Sequence, residues 1–342
     1  MIEILTGSAL NTIQDQGRPR AMTLGVARGG AMDGPALACG NMLLGNPTGD
    51  RTGDRTSDRT SDSGEPAGAA GIEIAFFPFR VRFLAALAFA VTGARGPVRL
   101  DGLALPPDWA CWAAPGQVLE IGPPAEGCRT YLALAGGIDV PLVLGARATD
   151  LKGGFGGLEG RALQRGDVLR CGPAAEPGPP RCGWGLAERC PLPDAGETRV
   201  RVLPAAEFGD FTAAARHAFL AETWRVTPSA NRMGYRLEGE PLALQRAMSL
   251  FSHGIVPGTV QVPPAGQPIV QMADANTCGG YPKIATVIAP DLRLLAQTPV
   301  NGRIRFVEAS RAEAVAALRD AAARQARRQA EFAALRHMPI PA

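Results

Sequence analysis

Lysine is nearly absent from this chain. Its 342 residues contain two, Lys152 and Lys283, against thirty-three arginines. Arginine therefore carries the ordinary surface charge, and each lysine asks for a reason. Histidine is almost as scarce, with three, which leaves few donors for a histidine-based triad or a zinc mechanism. No Gly-x-Ser-x-Gly elbow, His-Glu-x-x-His helix or Rossmann glycine fingerprint occurs, so no metal site is expected. The seven cysteines are odd in number and include no Cys-x-x-Cys pair. They fit reduced thiols in a cytoplasmic protein better than a disulfide framework. No apolar run reaches the ~18 residues that span a bilayer; the longest, Phe83 to Val91, reads as a buried strand. The N-terminus lacks a positive segment followed by an apolar core, so no signal peptide is expected. A net charge of +3 without a basic, aromatic-interleaved stripe points away from nucleic acid. Neither a membrane nor a nucleic acid is expected as a partner.

Glycine and proline are abundant, at forty-two and thirty. They punctuate short apolar runs such as "GIEIAFF", "GQVLEIG" and "RTYLALAGG", the pattern of many short strands and tight turns. The expected class is mainly β with a few helices. One helix is expected over Pro35–Leu44, capped by Asp33 and stopped at Gly45-Asn46-Pro47. A second is expected near Glu207–Thr223, where Phe211, Ala215 and Phe219 recur every four residues. A third runs from Arg311 to Leu335, opened by a Ser310–Glu313 capping box. Its weak apolar stripe, Val315, Leu318, Ala322 and Gln325, suits either a surface helix on the second lobe or a contact with a partner. A length of 342 residues allows two domains of roughly 100–200 residues each. These are placed at 1–180 (an N-terminal β-rich lobe) and 199–308, with a Pro- and Gly-rich linker at 181–198 and a helical tail at 309–342. Within the first lobe, 49–68 repeats Gly-Asp-Arg-Thr and Ser-Asp-Arg-Thr. It has no large apolar side chain to offset the entropy of ordering and is expected to be a disordered surface loop; a calcium-binding turn or regulatory segment is the other reading.

Four stretches carry polar groups in settings that suit chemistry. "GGFGGLEGR" places Gly153, Gly154, Gly156 and Gly157 where backbone amides can approach a phosphate or carboxylate, or where the loop simply packs tightly. It lacks the lysine and hydroxyl that end a Walker motif. "QPIVQMADANTCGGYPKIATV" ends an apolar strand at Asp274. It then sets Thr277, Gly279, Gly280 and Tyr281 before Lys283. An ammonium beside exposed amides would stabilise negative charge growing on oxygen; a Gly-Gly-Tyr-Pro hairpin with a solvent-facing lysine is the plain alternative. Asp274, Tyr281 and Lys283 are the candidate catalytic residues, with lysine scarcity favouring a functional Lys283. Asn231, Arg232 and Arg236 in "SANRMGYRLEG" suit carboxylate recognition, and Gln261 and Gln267 suit an amide. His253 sits in a loop, as a base or as a silent surface group. The fourth stretch, "QDQGRP" with "GGAMD", binds a ligand or caps the first helix.

The ordered set "QDQGRP", "GGAMD", "NMLLGNP", "AGGIDVPLVLGARATD", "GGFGGLEGRALQRGD", "NRMGYRLEG", "VPGTVQVPPAGQPIVQMADANTCGGYPKIATVI" and "LAQ" resembles the allophanate hydrolase subunit 2-like proteins. These are also called the biotin-dependent carboxyltransferase family and include the C component of 5-oxoprolinase. The resemblance covers residues 3–308. It implies two cyclophilin-like β-barrel lobes with a cleft between them. It also implies a B-like partner, related to allophanate hydrolase subunit 1, and an A-like partner. The implied reaction opens 5-oxo-L-proline, a cyclic amide, to L-glutamate with ATP and Mg2+ at the level of the complex, the chain being inactive alone. Lys283 and the glycine amides would then offset phosphate and oxyanion charge. The alternative within the family is a component of biotin-dependent carboxyl transfer, as in urea carboxylase, with biotin on another chain. Another is a non-catalytic partner of a kinase-inhibitor-like protein. Departures from the family pattern include Ser252-His253 where Ser-Glu is expected and Thr277-Cys278 where Thr-Thr is expected.

Overall fold

The structure is a computed structural model that describes residues 1–49, 68–174, 178–193 and 196–336. All but the two end residues of the repeat loop at 49–68 lie outside the described residues. The chain forms two compact units. The first comprises Met1–Arg18, Gly29–Pro191 and Ala322–Ala342; the second comprises Pro19–Arg28 and Leu192–Ala321.

The first unit contains β1 (Ile2–Ile4), β2 (Thr12–Gln14), α1 (Gly34–Leu44), β3 (Gly71–Ile74), β4 (Phe79–Phe83), β5 (Leu87–Arg95), β6 (Val98–Leu100), β7 (Leu103–Ala104), β8 (Trp109–Ala113), β9 (Val118–Ile121), β10 (Glu126–Leu134), β11 (Val168–Leu169) and β12 (Trp184–Gly185). They build two six-stranded sheets, ordered β11-β1-β4-β9-β6-β7 and β12-β8-β5-β10-β3-β2. β4 shows the period-2 logic of a half-buried strand. Phe79, Val81 and Phe83 are buried, while Arg80 and Arg82 face out, and Arg82 pairs across the sheet with Glu3 at 2.7 Å. Phe79, Val81 and Phe83 share one core with Phe89 of β5 and Leu132 of β10. β5 is buried along both faces, as is nearly all of α1. The expected caps of α1 are present: Asp33 accepts from the Ala36 amide, and Gly45 closes the helix in the left-handed region at φ 69°.

The stretch read as a linker, 181–198, supplies β12, which pairs with β8. The Trp184 indole donates to the Leu43 carbonyl at 2.9 Å, and Cys190 is part of the core. The stretch read as a tail is equally a structural part. Phe332 enters the same core and meets Trp184 edge-on at 6.1 Å between centroids. Aromatic packing of this kind adds to area burial and holds both segments in place.

The second unit contains β13 (Thr198–Pro204), α2 (Ala213–Ala221), β14 (Trp224–Val226), β15 (Gly234–Glu238), β16 (His253–Gly254), β17 (Thr259–Gln261), β18 (Ile269–Gln271), β19 (Cys278–Gly279), β20 (Lys283–Val287), α3 (Leu292–Ala296), β21 (Arg303–Glu308) and the first part of α4 (Arg311–Arg336). Seven strands close a barrel in the order β13-β20-β17-β18-β15-β14-β21, and β16 and β19 form a separate ribbon. Phe219 of α2 stacks on Phe306 of β21 at 4.5 Å. The Trp224 indole, also buried, donates to the Phe219 carbonyl at 3.1 Å. α4 begins with the expected reciprocal box: the Ser310 amide donates to Glu313 Oε2 at 2.7 Å, and the Glu313 amide donates to Ser310 Oγ at 3.2 Å.

Mainly β with few helices is therefore the observed class. One unit is a closed barrel and the other a pair of six-stranded sheets over a common core. The helix expected over Glu207–Thr223 is shorter than the periodicity implied. Residues Phe208–Asp210 form a 3-10 turn, Phe211 bridges to Leu244, and α2 starts only after Thr212, whose hydroxyl caps Ala215. The apolar spacing was real, but backbone pairing at Phe211 overrode it. Among the described residues, no helix is long and apolar enough to cross a membrane.

Candidate functional site

Strand register brings three distant residues of the second unit together. β13 runs antiparallel to β20 with Pro204 opposite Ala285. Glu207, three residues past the end of β13, therefore arrives beside Lys283 at the start of β20. The β16–β19 ribbon sets His253 opposite Gly279, four residues before Lys283. The Lys283 ammonium lies 2.9 Å from Glu207 Oε2 and also contacts His253 Nε2. Glu207 Oε2 accepts from the Lys283 backbone amide as well, at 3.1 Å. The lysine and glutamate side chains are each 14% exposed, so the pair is largely desolvated. Burial pushes the Glu207 carboxyl up, but the Lys283 side-chain and backbone hydrogen bonds outweigh it and hold the carboxyl below its ordinary value.

Gln261 sits directly across from Lys283 on β17. Its Oε1 accepts from Gln271 Nε2 at 3.0 Å in a buried contact, and its Nε2 reaches the Tyr281 carbonyl at 3.5 Å. At Gly279 an added Cβ would lie 2.5 Å from Gln261 Nε2, so the Gln261 side chain would have to shift to admit it. At Gly280 an added Cβ would lie 2.9 Å from the Leu250 carbonyl. The two glycines thus admit the amide and the neighbouring loop that floor the lysine site. The Tyr281 side chain is 47% exposed, and the Thr277 carbonyl accepts from the Ile255 amide.

Other expected site residues have found partners of their own. Asp274 and Arg232 pair with each other through two 2.8 Å bonds, and the Asp274 amide donates to the Arg232 carbonyl. This fork is a charge-assisted clamp between two loops, largely buried on both sides. Asp274 was expected as a catalytic acid and Arg232 as a carboxylate binder; the structure uses each to satisfy the other. Gln267 closes both ends of its amide on the Gly239 backbone, at 3.0 and 3.1 Å. Asn231 caps its own turn by accepting from the Met233 and Gly234 amides. Arg236 lies exposed on β15.

In the first unit, the glycine-rich loop is wound around Asp150. The Gly153 amide donates to Asp150 Oδ1 at 2.8 Å. The Gly154 amide donates to the Asp150 carbonyl at 2.9 Å, and that of Gly157 to the Arg147 carbonyl at 3.0 Å. A Cβ at Gly156 would overlap the Ala148 carbonyl. These glycines serve close packing, and three of the amides expected for an anion are already bonded. Asp33, as read, caps α1, and its amide donates to the Tyr131 hydroxyl at 2.8 Å. Among the described residues, no three His, Cys, Asp or Glu side chains gather as a metal site.

Of the expected residues, the structure keeps Lys283, Gln261, Gly279, Gly280 and Tyr281 together, brings the loop histidine His253 to Lys283, and adds Glu207, which the sequence reading did not single out. Residues 63–308 match the family described as "Carboxyltransferase domain, subdomain A and B". The chain belongs to this family. It is 40% identical over 94% of its length to the 5-oxoprolinase C component of Escherichia coli K12, covering 95% of that protein. It is 37% identical to the protein of the same name from Haemophilus influenzae, covering 92% of this chain and 93% of that one. A more distant relative, urea amidolyase of Saccharomyces cerevisiae, is 28% identical over 90% of this chain but only 17% of its own length. The solved structure of TTHA0988 superposes with a TM-score of 0.74 at 32% identity over 90% of this chain. This chain spans about 56% of that one.

Proposed function

We propose that this carboxyltransferase-family chain is the C component of a 5-oxoprolinase, which opens 5-oxo-L-proline to L-glutamate together with A-like and B-like partners. The observation that carries the reading is identity of 40% with a 5-oxoprolinase C component across nearly the whole of both chains. The match to urea amidolyase is weaker and covers a small part of that protein, which ranks carboxyl transfer to urea second.

A lactam carbonyl is a poor electrophile, and its ring nitrogen a poor leaving group. ATP supplies the activation in the assembled complex. The glycine-rich loop of this chain does not fit a phosphate cradle, since the amides of Gly153 and Gly154 already bond Asp150 and that of Gly157 the Arg147 carbonyl. The nucleotide, with Mg2+, is therefore placed outside this loop. What this chain contributes is the Lys283 centre. A fixed, largely desolvated ammonium stabilises charge growing on a substrate oxygen far more than a hydrated one does. Glu207 holds that ammonium in place at 2.9 Å. Tyr281, two residues before Lys283 and 47% exposed, is a phenol that solvent and substrate can reach.

The test is a substrate comparison in the reconstituted mixture of all three components. ATP-dependent glutamate release from 5-oxo-L-proline, with no ATP consumption on urea and bicarbonate, is the expected result. The reverse pattern would replace this reading with carboxyl transfer to urea.

A further inference from the structure

The Lys283 ammonium has two acceptors, and only one of them carries a charge. The second, His253, is set up by a contact on the far side of its ring. His253 Nδ1 lies 2.9 Å from the Phe251 carbonyl oxygen. A carbonyl can only accept, so the ring proton sits on Nδ1. In a neutral imidazole the other nitrogen, Nε2, then carries a lone pair. That lone pair meets Lys283 Nζ, a group that can only donate. Donor and acceptor therefore match along the whole line from the Phe251 carbonyl through the ring to the ammonium.

We propose that His253 is a positioning residue for Lys283: held in its Nδ1–H form by the Phe251 carbonyl, it takes one N–H of the ammonium while Glu207 takes another, so that the third is aimed in a single direction. The proposal rests on the reading of Lys283 as the group that meets the substrate. A lysine with one carboxylate partner still rotates about its last bond. Two acceptors on different sides of the nitrogen stop that rotation, and the tetrahedral nitrogen leaves one N–H direction.

Both acceptors are anchored by backbone. Glu207 accepts from the Lys283 amide itself, and His253 is paired to Gly279 in the β16–β19 ribbon. The Phe251 side chain is 97% exposed, so this residue's contribution to the site is its carbonyl and not its ring. Aim matters because a misplacement of about 1 Å in a reacting group costs on the order of 10²-fold in rate.

Two measurements test this. The first needs no activity. The chain has three histidines, His217, His253 and His337, so nitrogen-15 histidine labelling of the full chain gives three ring systems, and His253→Gln identifies one by its loss. The expected result is a proton on Nδ1 of His253 and none on Nε2, with the Nε2 resonance of that ring alone moving in Lys283→Met. A proton on Nε2, or a His253 signal indifferent to Lys283→Met, overturns the proposal. The second is kinetic, in the reconstituted complex. His253→Leu is expected to lower kcat about 10- to 100-fold with little change in KM, and His253→Gln, which restores an acceptor oxygen, to recover most of it. Equal loss in both variants marks a merely structural histidine and overturns the proposal, as does full activity in His253→Leu. Failure of the unmodified complex to release glutamate sinks the functional reading instead, and the ring spectra still decide the position of the proton.

Discussion

Changing Glu207 to glutamine removes the charge facing Lys283 while keeping the side chain's shape. The separation is 2.9 Å, and both side chains are 14% exposed. At an effective dielectric constant of about 20, two unit charges that close attract by roughly 6 kcal/mol before any desolvation is counted. Desolvation takes back much of this, yet stripping one partner leaves the other charge buried alone, which costs about 3–5 kcal/mol. His253 remains as a neutral acceptor for the ammonium, so Glu207→Gln and Lys283→Met are each expected near the low end, about 3 kcal/mol. Glu207→Leu alone is expected to cost at least as much as Glu207→Gln, whereas Glu207→Leu combined with Lys283→Met removes both desolvated charges and is expected within about 1 kcal/mol of the unmodified chain. Hydrogen exchange of the β13 and β20 amides across a urea series reads the opening of the barrel that these strands close. A double variant that loses the sum of the single losses would show that the two charges are not coupled, and the reasoning about this centre would be wrong.

Three further outcomes are expected. The Glu207 carboxyl lies below its ordinary value of 4.5 in the folded chain. Its contribution is therefore fully present above that pH and lost as pH falls through the lower, folded value. The stability gap between the unmodified chain and Glu207→Gln should be constant from about pH 7 to 5 and shrink below about 4.5, and a gap that widens in acid would contradict the sign. Gly279→Ala places a methyl against Gln261 Nε2 and should cost about 1–3 kcal/mol in thermal unfolding; no loss would mean that the turn relaxes freely. Arg232→Met leaves Asp274 buried without its fork and should cost about 3–5 kcal/mol, most of it recovered when Asp274→Leu is added; independent losses would refute the clamp.

Much of this architecture is written locally. The caps of α1, Asp33 and Gly45, and the box opening α4, Ser310 with Glu313, depend on neighbours within a few residues and were readable as such. The strand-rich class followed from apolar runs cut by glycine and proline. Lys283 stood out because the chain otherwise uses arginine. What escaped depends on register. Glu207 was hidden inside an apparent four-residue repeat and is revealed as a site residue only once β13 pairs with β20. Arg232 and Asp274 lie 42 residues apart, and nothing in either segment announces the other. The glycines at 153–157 read as an anion cradle because sequence shows that amides are free of side-chain cover, not that Asp150 accepts from Gly153 and Gly154 and the Arg147 carbonyl from Gly157. The stretches at 181–198 and 309–342 looked peripheral because their few apolar residues are spread out. Cys190 and Phe332 nonetheless fill the core of the first unit.

The most direct measurement mixes this chain with the A-like and B-like components proposed for it and follows ATP-dependent glutamate release from 5-oxo-L-proline. No release is expected from the partners alone. Release is expected when the unmodified chain is added, and little or none when Lys283→Met takes its place in a complex of the same composition. Release from the partners without this chain, or full release with Lys283→Met, would contradict the role given to this subunit and its lysine.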